Sequence, residues 1–341
     1  MKLTFDQIRA VTVGAVDFEE TKDSLQPFRF TKDQREFTRY ADRYYHRGMA
    51  AAGICFCFKT DSESLALEME CLSTQVRDYF SFEVFADGKL VGYLDNFPEE
   101  GLPAQFYHQT ELATPEGVFC KTFALDAGEK TVRVNFPWSK LVKIRSVTLD
   151  DGASLIPVKK SKKLLAFGDS ITHGMDACRP SQRYIAQLAD FLQADEYNKA
   201  IAGETYCPGL VACRDDFTPD YITVAYGTND WSNKSKEELV ENTRLFYENL
   251  QKNYPGVPTF VLTPLWRATR DMEKPFGSFD DVEVVIRESA ADFPQIQVIR
   301  GYDMIPHDTK YFVEASLHPT TEGFAHYGKN LCQQIGALLE K

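Results

Sequence analysis

From about residue 50 to 158, apolar residues recur at every second position, as in Leu65, Leu67, Met69 and Cys71, and again in Phe80, Phe82 and Val84. A period of two puts one set of side chains on one face of a strand, so this pattern predicts half-buried antiparallel strands. Turn residues separate the runs. Asp87-Gly88 lies between FSFEVFA and KLVGYLD, and Asp-Gly tolerates the positive φ that a two-residue hairpin requires. Gly117, Gly128 and Asp151-Gly152 punctuate further short strands, among them TVRVNF (131–136) and VKIRSVTL (142–149). Many short strands between closely spaced turns predict an antiparallel, jelly-roll-like sandwich. The first 45 residues are more polar and suit an added edge strand and a short helix.

After residue 160 the pattern changes. Continuous apolar runs appear at LLAF (164–167), YITVAYG (221–227), TFVLTP (259–264) and IQVI (296–299). Runs without alternation are what strands buried on both faces require. Amphipathic helices fall between them, one over about 181–193 with Tyr184, Leu188 and Phe191 on one stripe. Another begins at Ser235, where Glu238 completes a capping box ahead of Leu239, Phe246 and Leu250. A last helix over about 320–339 carries Phe324, Tyr327, Leu331, Ile335 and Leu338. Strands alternating with helices predict a three-layer α/β domain with a mainly parallel sheet. The expected division is therefore a β-sandwich over 1–158 and an α/β domain over 159–341, with the lysine-rich 159–163 as lead-in.

A chain of 341 residues, 43% of them apolar, is long enough for two such cores. Its net charge of −12 argues against nucleic acid or an anionic membrane surface as partner, because both attract a positive field. No apolar run is long enough to span a bilayer, and the first residues carry no secretory h-region, so a cytoplasmic location is expected. Eight cysteines are too sparse for a disulfide scaffold, and there is no CxxC, HExxH or Walker-type loop. Neither a metal nor an organic cofactor is expected.

In parallel α/β sheets, ligands bind at the carboxyl ends of the strands. Gly168-Asp169-Ser170 follows LLAF, a block ending in Gly203 follows the second strand region, Gly227-Thr228-Asn229-Asp230 follows YITVAY, and Ser316-Leu317-His318-Pro319 precedes the last helix. One Ser, one Gly, one Asn and one His at four strand ends are what acyl transfer needs: a nucleophile, a base, and donors aimed at a developing oxyanion. No G-x-S-x-G is present, which excludes the α/β-hydrolase elbow.

With these four blocks in this order, residues from about 160 to 341 resemble the SGNH (GDSL-type) hydrolase superfamily. The resemblance implies Ser170 as nucleophile and His318 as general base. It implies an oxyanion hole made of the Ser170 N–H, the Gly203 N–H and the Asn229 side-chain amide. The family places an Asp three residues before the His to orient its ring, but this chain has Ala315 there. Glu314 can substitute only from an altered loop, since one residue of extended chain turns the side chain to the other side. A Ser–His dyad held by a carbonyl, a rewired triad and a decayed site therefore all stay open. Asp169, His173, Trp231, Trp266 and Arg267 are further candidates near the substrate, each with an ordinary structural reading as cap, neighbour or core filler.

A sandwich ahead of such a domain also resembles bacterial carbohydrate O-acetylesterases, some of which lack the triad acid. That resemblance implies a serine esterase that removes acetyl groups from an oligosaccharide through an acetyl-serine intermediate. A lipase, lysophospholipase or thioesterase on the same site is the alternative, although the polar loops after Ser170 and Trp266 favour a short acyl group. A degenerate carbohydrate-binding protein is the reading from another class.

Overall fold

The computed structural model describes residues 1–97, 115–313 and 317–340. Two antiparallel sheets face each other in the N-terminal half. The first runs in the order Thr12–Val13, Cys55–Thr60, Lys130–Asn135, Ser81–Ala86, Lys89–Asp95, with Ile156–Pro157 also paired to Cys55–Thr60. The second runs Asp17–Glu20, Leu25–Phe28, Lys140–Leu149, Ser64–Ser73, Gly117–Ala124. Along Ser64–Ser73 the residues Leu65, Leu67, Met69 and Cys71 are buried and their neighbours are not, as the period of two requires. They meet Phe56, Phe58, Val132 and Val134 of the other sheet in one core. The expected hairpin forms with Ala86 opposite Lys89, and Asp87 and Gly88 take φ of 47° and 76°. Those two positive values match the right-handed twist of the flanking strands.

The four apolar runs of the second half become Lys162–Gly168, Tyr221–Ala225, Thr259–Leu262 and Ile296–Ile299, all parallel. A fifth strand, Ala194–Asn198, flanks Lys162–Gly168 at the sheet edge. Its sequence ADEYN has no apolar run because an edge strand needs fewer buried residues. Leu165 and Phe167 pack on one face against Phe246 and Leu250 of helix Lys236–Asn253 and Ile286 of helix Asp280–Ala290, a helix the apolar pattern did not predict. Leu164 and Ala166 pack on the other face against Leu188 of helix Tyr184–Phe191 and Leu331 of helix Thr321–Leu339. This is the three-layer α/β architecture expected from the sequence.

In chain order, the sheet reads second, first, third, fourth, fifth strand. The chain therefore leaves the first strand to one side and later returns to the other, so a crevice opens at the carboxyl end of Lys162–Gly168. The N-terminal half also reaches across to this domain: helices Lys32–Phe37 and Asp42–Gly48 carry Tyr44 into the same core as the parallel sheet, together with Phe30. No helix of the described residues is long and apolar enough to cross a membrane.

Candidate active site

At that crevice, strand Lys162–Gly168 turns directly into the short helix Ser170–His173. Asp169 caps the helix, its carboxylate accepting from the Ile171 N–H at 3.0 Å. Ser170 is the first helical residue, so its N–H has no partner within the helix. Its Oγ lies 2.9 Å from His318 Nε2, which the chain just before helix Thr321–Leu339 brings across. The loop is pinned by the Val313 N–H donating to the His318 carbonyl at 2.7 Å.

The other ring nitrogen decides what orients His318. Nδ1 lies 3.2 Å from Asp176 Oδ2, and the Asp176 side chain is fully buried. Gly174, at φ 105°, ends the short helix, and the Met175 N–H donates back to the Ser170 carbonyl at 2.8 Å. The turn returns the chain on itself, with Asp176 at φ 72°, a conformation that Asp tolerates better than most residues. Asp176 thus follows Ser170 by six residues and does not precede His318 by three. Glu314, the substitute considered from sequence, lies outside the described residues together with Ala315, and the nitrogen it was to hold is taken by Asp176.

Asp176 is itself held. Arg77, from the loop between strands Ser64–Ser73 and Ser81–Ala86, donates from Nε to Oδ1 at 2.7 Å and from Nη2 to Oδ2 at 2.9 Å. The Tyr79 hydroxyl reaches Oδ1 at 3.4 Å. Burial alone would raise the Asp176 carboxyl, but the hydrogen bonds from His318 and Arg77 outweigh it and hold the group below its ordinary value of 3.8. It is ionised at neutral pH.

The remaining blocks meet at the same edge. The Ile201 N–H donates to the Gly168 carbonyl at 3.0 Å, fastening the loop of Gly203 beside the nucleophile's strand. Gly203 has φ 85°, and a Cβ there would stand 2.7 Å from Arg47 Nη1, so only glycine fits. Asn229, in helix Thr228–Asn233, donates one amide hydrogen to the Glu204 carbonyl at 2.9 Å, which leaves its second hydrogen for a ligand.

The secondary candidates sit differently. Asp169 is buried, with its carboxyl pushed up to about 7 by desolvation and by nearby Asp230. His173 is fully buried and its Nε2 meets the Trp138 carbonyl at 2.8 Å. Burial, aided by the charge of Arg29, holds its pKa well below 6.5, so the ring is neutral. Neither side chain is open to a substrate. Trp231 is core and no platform: it is 1% exposed, its Nε1 donates to the Gly277 carbonyl, and it meets Phe279 edge-on. Trp266 is half-buried and stacks on His307, while Arg267 lies over Trp231 and donates to Thr228 Oγ1 at 3.1 Å. Sequence reasoning missed Asp176 and Arg77. The signal for Asp176 was a polar residue just past an αL glycine, whereas Arg77 had none.

Residues 166–326 match the GDSL-like Lipase/Acylhydrolase family. Among solved structures it is similar over nearly its whole length to the salicylyl-acyltransferase SsfX3 from a tetracycline biosynthetic pathway, with a TM-score of 0.79, 18% identity, and 96% and 94% of the two chains covered. It is also similar to an active-site mutant of a family two carbohydrate esterase from Clostridium thermocellum in complex with a cello-oligosaccharide, with a TM-score of 0.67, 14% identity, and 96% and 98% covered. A third is an acetyl xylan esterase, Est2A, from the rumen bacterium Butyrivibrio proteoclasticus, with a TM-score of 0.58, 17% identity, and 85% and 91% covered. At such identities the likeness establishes the two-domain fold. No curated protein sequence matches the chain.

Two cavities bear on ligands. One of about 20 Å³ is lined by Asp169, Ile171, Tyr226, Leu265, Leu317 and Tyr327 among others, a lining that includes chain neighbours of Ser170 and His318 but not those two residues themselves. A larger one of about 480 Å³ lies between the first antiparallel sheet and helix Tyr184–Phe191. It holds no nucleophile–base pair, and its charges are paired with one another, as in Arg183–Glu196 at 2.6 Å and Arg133–Asp190 at 3.1 Å. Among the described residues no cluster of three metal-ligating side chains occurs.

Proposed function

We propose that the chain is a serine esterase that removes acetyl groups from O-acetylated carbohydrates with a Ser170–His318–Asp176 triad. The relay of Oγ to Nε2 at 2.9 Å and Nδ1 to Oδ2 at 3.2 Å carries the reading. Ser170 Oγ attacks the ester carbonyl carbon while His318 Nε2 takes its proton, and Asp176 stabilises the imidazolium. The oxyanion is received by the Ser170 N–H, the Gly203 N–H and the free Asn229 amide hydrogen. Collapse expels the sugar hydroxyl, which leaves with the proton from His318, and forms acetyl-Ser170. Water, deprotonated by His318, then attacks the acyl carbon and releases acetate and the serine hydroxyl. In a site of this kind, a single preorganised donor is worth about 3 kcal/mol of barrier.

The acetyl assignment rests on the polar loops that follow Ser170 and Trp266, which favour a short acyl group over a long alkyl chain. Two carbohydrate esterases among the structural relatives support the sugar, and the acyltransferase makes transfer to an alcohol other than water the second reading, since both reactions share the acyl-enzyme.

The test is acetate release from acetylated manno- and xylo-oligosaccharides, with acetyl and octanoyl aryl esters alongside. Wild-type protein should release acetate and prefer acetyl to octanoyl, and Ser170→Ala should lower kcat by about 10⁴-fold or more. Octanoyl preference would move the reading to a lipid or thioester enzyme. No turnover of any ester by wild type would overturn the esterase.

A further inference from the structure

The hydrolase half does not hold its own catalytic groups in place. Two arginines of the N-terminal half do, each through a different part of the site.

Arg77 reaches Asp176 with a bidentate pair at 2.7 and 2.9 Å. Two parallel bonds from a planar guanidinium fix both position and rotation of a carboxylate, which one bond cannot do. Because the other side of that carboxylate meets His318 Nδ1, fixing Asp176 fixes the ring and its tautomer.

Arg47, in helix Asp42–Gly48, donates from Nη1 to the Ala202 carbonyl at 2.8 Å. That carbonyl belongs to the same planar unit as the Gly203 N–H. In a trans peptide the two point in opposite directions, so holding the oxygen towards Arg47 aims the hydrogen away from it. Among the described residues the Gly203 N–H makes no hydrogen bond, and the Glu204 N–H of the next unit is already used on the Ile201 carbonyl at 3.1 Å. The following carbonyl, of Gly203, is held by the Tyr44 hydroxyl at 3.0 Å. Arg47 Nε also donates to the Gln75 carbonyl at 3.3 Å, which ties it to the loop that carries Arg77.

We infer that Arg77 and Arg47 are positioning residues for the reaction: Arg77 sets the general-base relay, Arg47 sets the oxyanion N–H, and the antiparallel half of the chain is thereby a working part of the active site. The inference rests on Ser170 being the nucleophile. It assigns the two arginines different signatures. Without Arg77, burial acts on Asp176 with less opposition, its carboxyl rises, and the proton it then holds removes its support for the imidazolium. Without Arg47 the Asp176–His318 relay keeps its own partners, and the oxyanion donor is loosened.

The experiment compares the full-length variants Arg77→Met, Arg77→Lys and Arg47→Met with wild type. Each Met variant should lose roughly 10- to 100-fold in kcat, the range for outer partners of catalytic ligands, with KM changed far less. In Arg77→Met the acid limb of the kcat–pH profile should move to higher pH. Arg77→Lys should return that limb towards wild type and recover only part of kcat, because an ammonium keeps the charge and loses the fork. In Arg47→Met the limb should stay in place. The far-downfield proton resonance of the His318 Nδ1–H gives a second readout that needs no substrate. It should persist in Arg47→Met and be lost or shifted in Arg77→Met. If Arg77→Met fails to fold, Arg77→Gln, equally uncharged, takes its place with the same expected shift of limb and resonance. An unmoved acid limb with an unchanged resonance in the uncharged Arg77 variant, or wild-type kcat in Arg47→Met, would overturn the inference. Absence of turnover in wild type with the resonance behaving as stated would sink the esterase reading and leave the Arg77 arm standing.

Discussion

Two buried polar clusters join the antiparallel half of the chain to the parallel sheet, and they are built from similar parts. In one, Lys199 Nζ donates to Asp215 Oδ1 at 2.5 Å, to the Arg29 carbonyl at 2.5 Å and to Gln34 Oε1 at 3.0 Å. Those three acceptors use all three ammonium hydrogens. Asp215 Oδ2 accepts from Gln34 Nε2 and from the Tyr254 hydroxyl, both at 3.3 Å, and both charged side chains are 0% exposed. The other cluster runs in a line from Arg77 through Asp176 and His318 to Ser170, and its His318 end is 17% exposed. The first is closed, with nothing left to offer a ligand. The second ends on a hydroxyl that faces the crevice. The same charge-assisted bonds serve as attachment when saturated and as chemistry when one end is open.

The largest effect should come from cutting the open line. Asp176→Asn keeps the size and the tolerance of positive φ but removes the charge that supports the imidazolium. Ester hydrolysis should fall about 10⁴-fold in kcat, with a smaller change in melting temperature than any break in the closed cluster causes. Esterase kinetics and thermal melts on one preparation decide it, and near-wild-type kcat would mean that Asp176 is packing only.

Next in size is the closed cluster. Lys199→Met leaves the fully buried Asp215 carboxyl without its cation, which should cost about 3–5 kcal/mol of stability. The kcat of the folded protein should stay within about twofold of wild type, since among the described residues the Lys199 ammonium donates to Arg29, Gln34 and Asp215 and to no group beside Ser170. Adding Asp215→Leu removes the stranded carboxyl and should recover much of the loss. Urea unfolding measures both variants. A large kcat loss in folded Lys199→Met would dissolve the distinction between attachment and chemistry.

Which parts of this contrast could be read from the chain depends on how local their cause is. The alternation at Leu65, Leu67, Met69 and Cys71, the Asp87-Gly88 turn and the Ser235–Glu238 box are short-range patterns, and each became the expected element. Ser170, Gly203, Asn229 and His318 announce themselves because each must follow a strand or precede a helix. The acid did not, because its position depends on where the Gly174 turn returns the chain. Arg77 lies 99 residues from its carboxylate in sequence. Arg29, Gln34 and Lys199 show the same limit: a pair that only the docking of two halves creates leaves no periodic trace in either. Trp231 erred in the opposite sense, since its place after Gly227-Thr228-Asn229-Asp230 suggested a cleft wall while the helix start turned it inward against Phe279.

The smallest effect tests a third kind of buried charge, one with neither a cation nor an outlet. Asp169 has its carboxyl raised to about 7 by burial, and Asp230, likewise pushed up to about 7, adds to it. Near pH 5 such a group holds a proton in the folded chain that it has released in the unfolded chain. The folded state therefore binds the extra proton. Its contribution to stability is full below the ordinary value of 3.8 and is lost as pH rises through about 7. Asp169→Asn keeps an oxygen for the Ile171 N–H and removes the titration, so the decline of stability between those limits should be shallower than in wild type. Urea midpoints for the two proteins across that window measure the difference. Parallel curves would show that Asp169 stays ionised, which would put an uncompensated negative charge next in the chain to Ser170, one that opposes the oxyanion Ser170 must form.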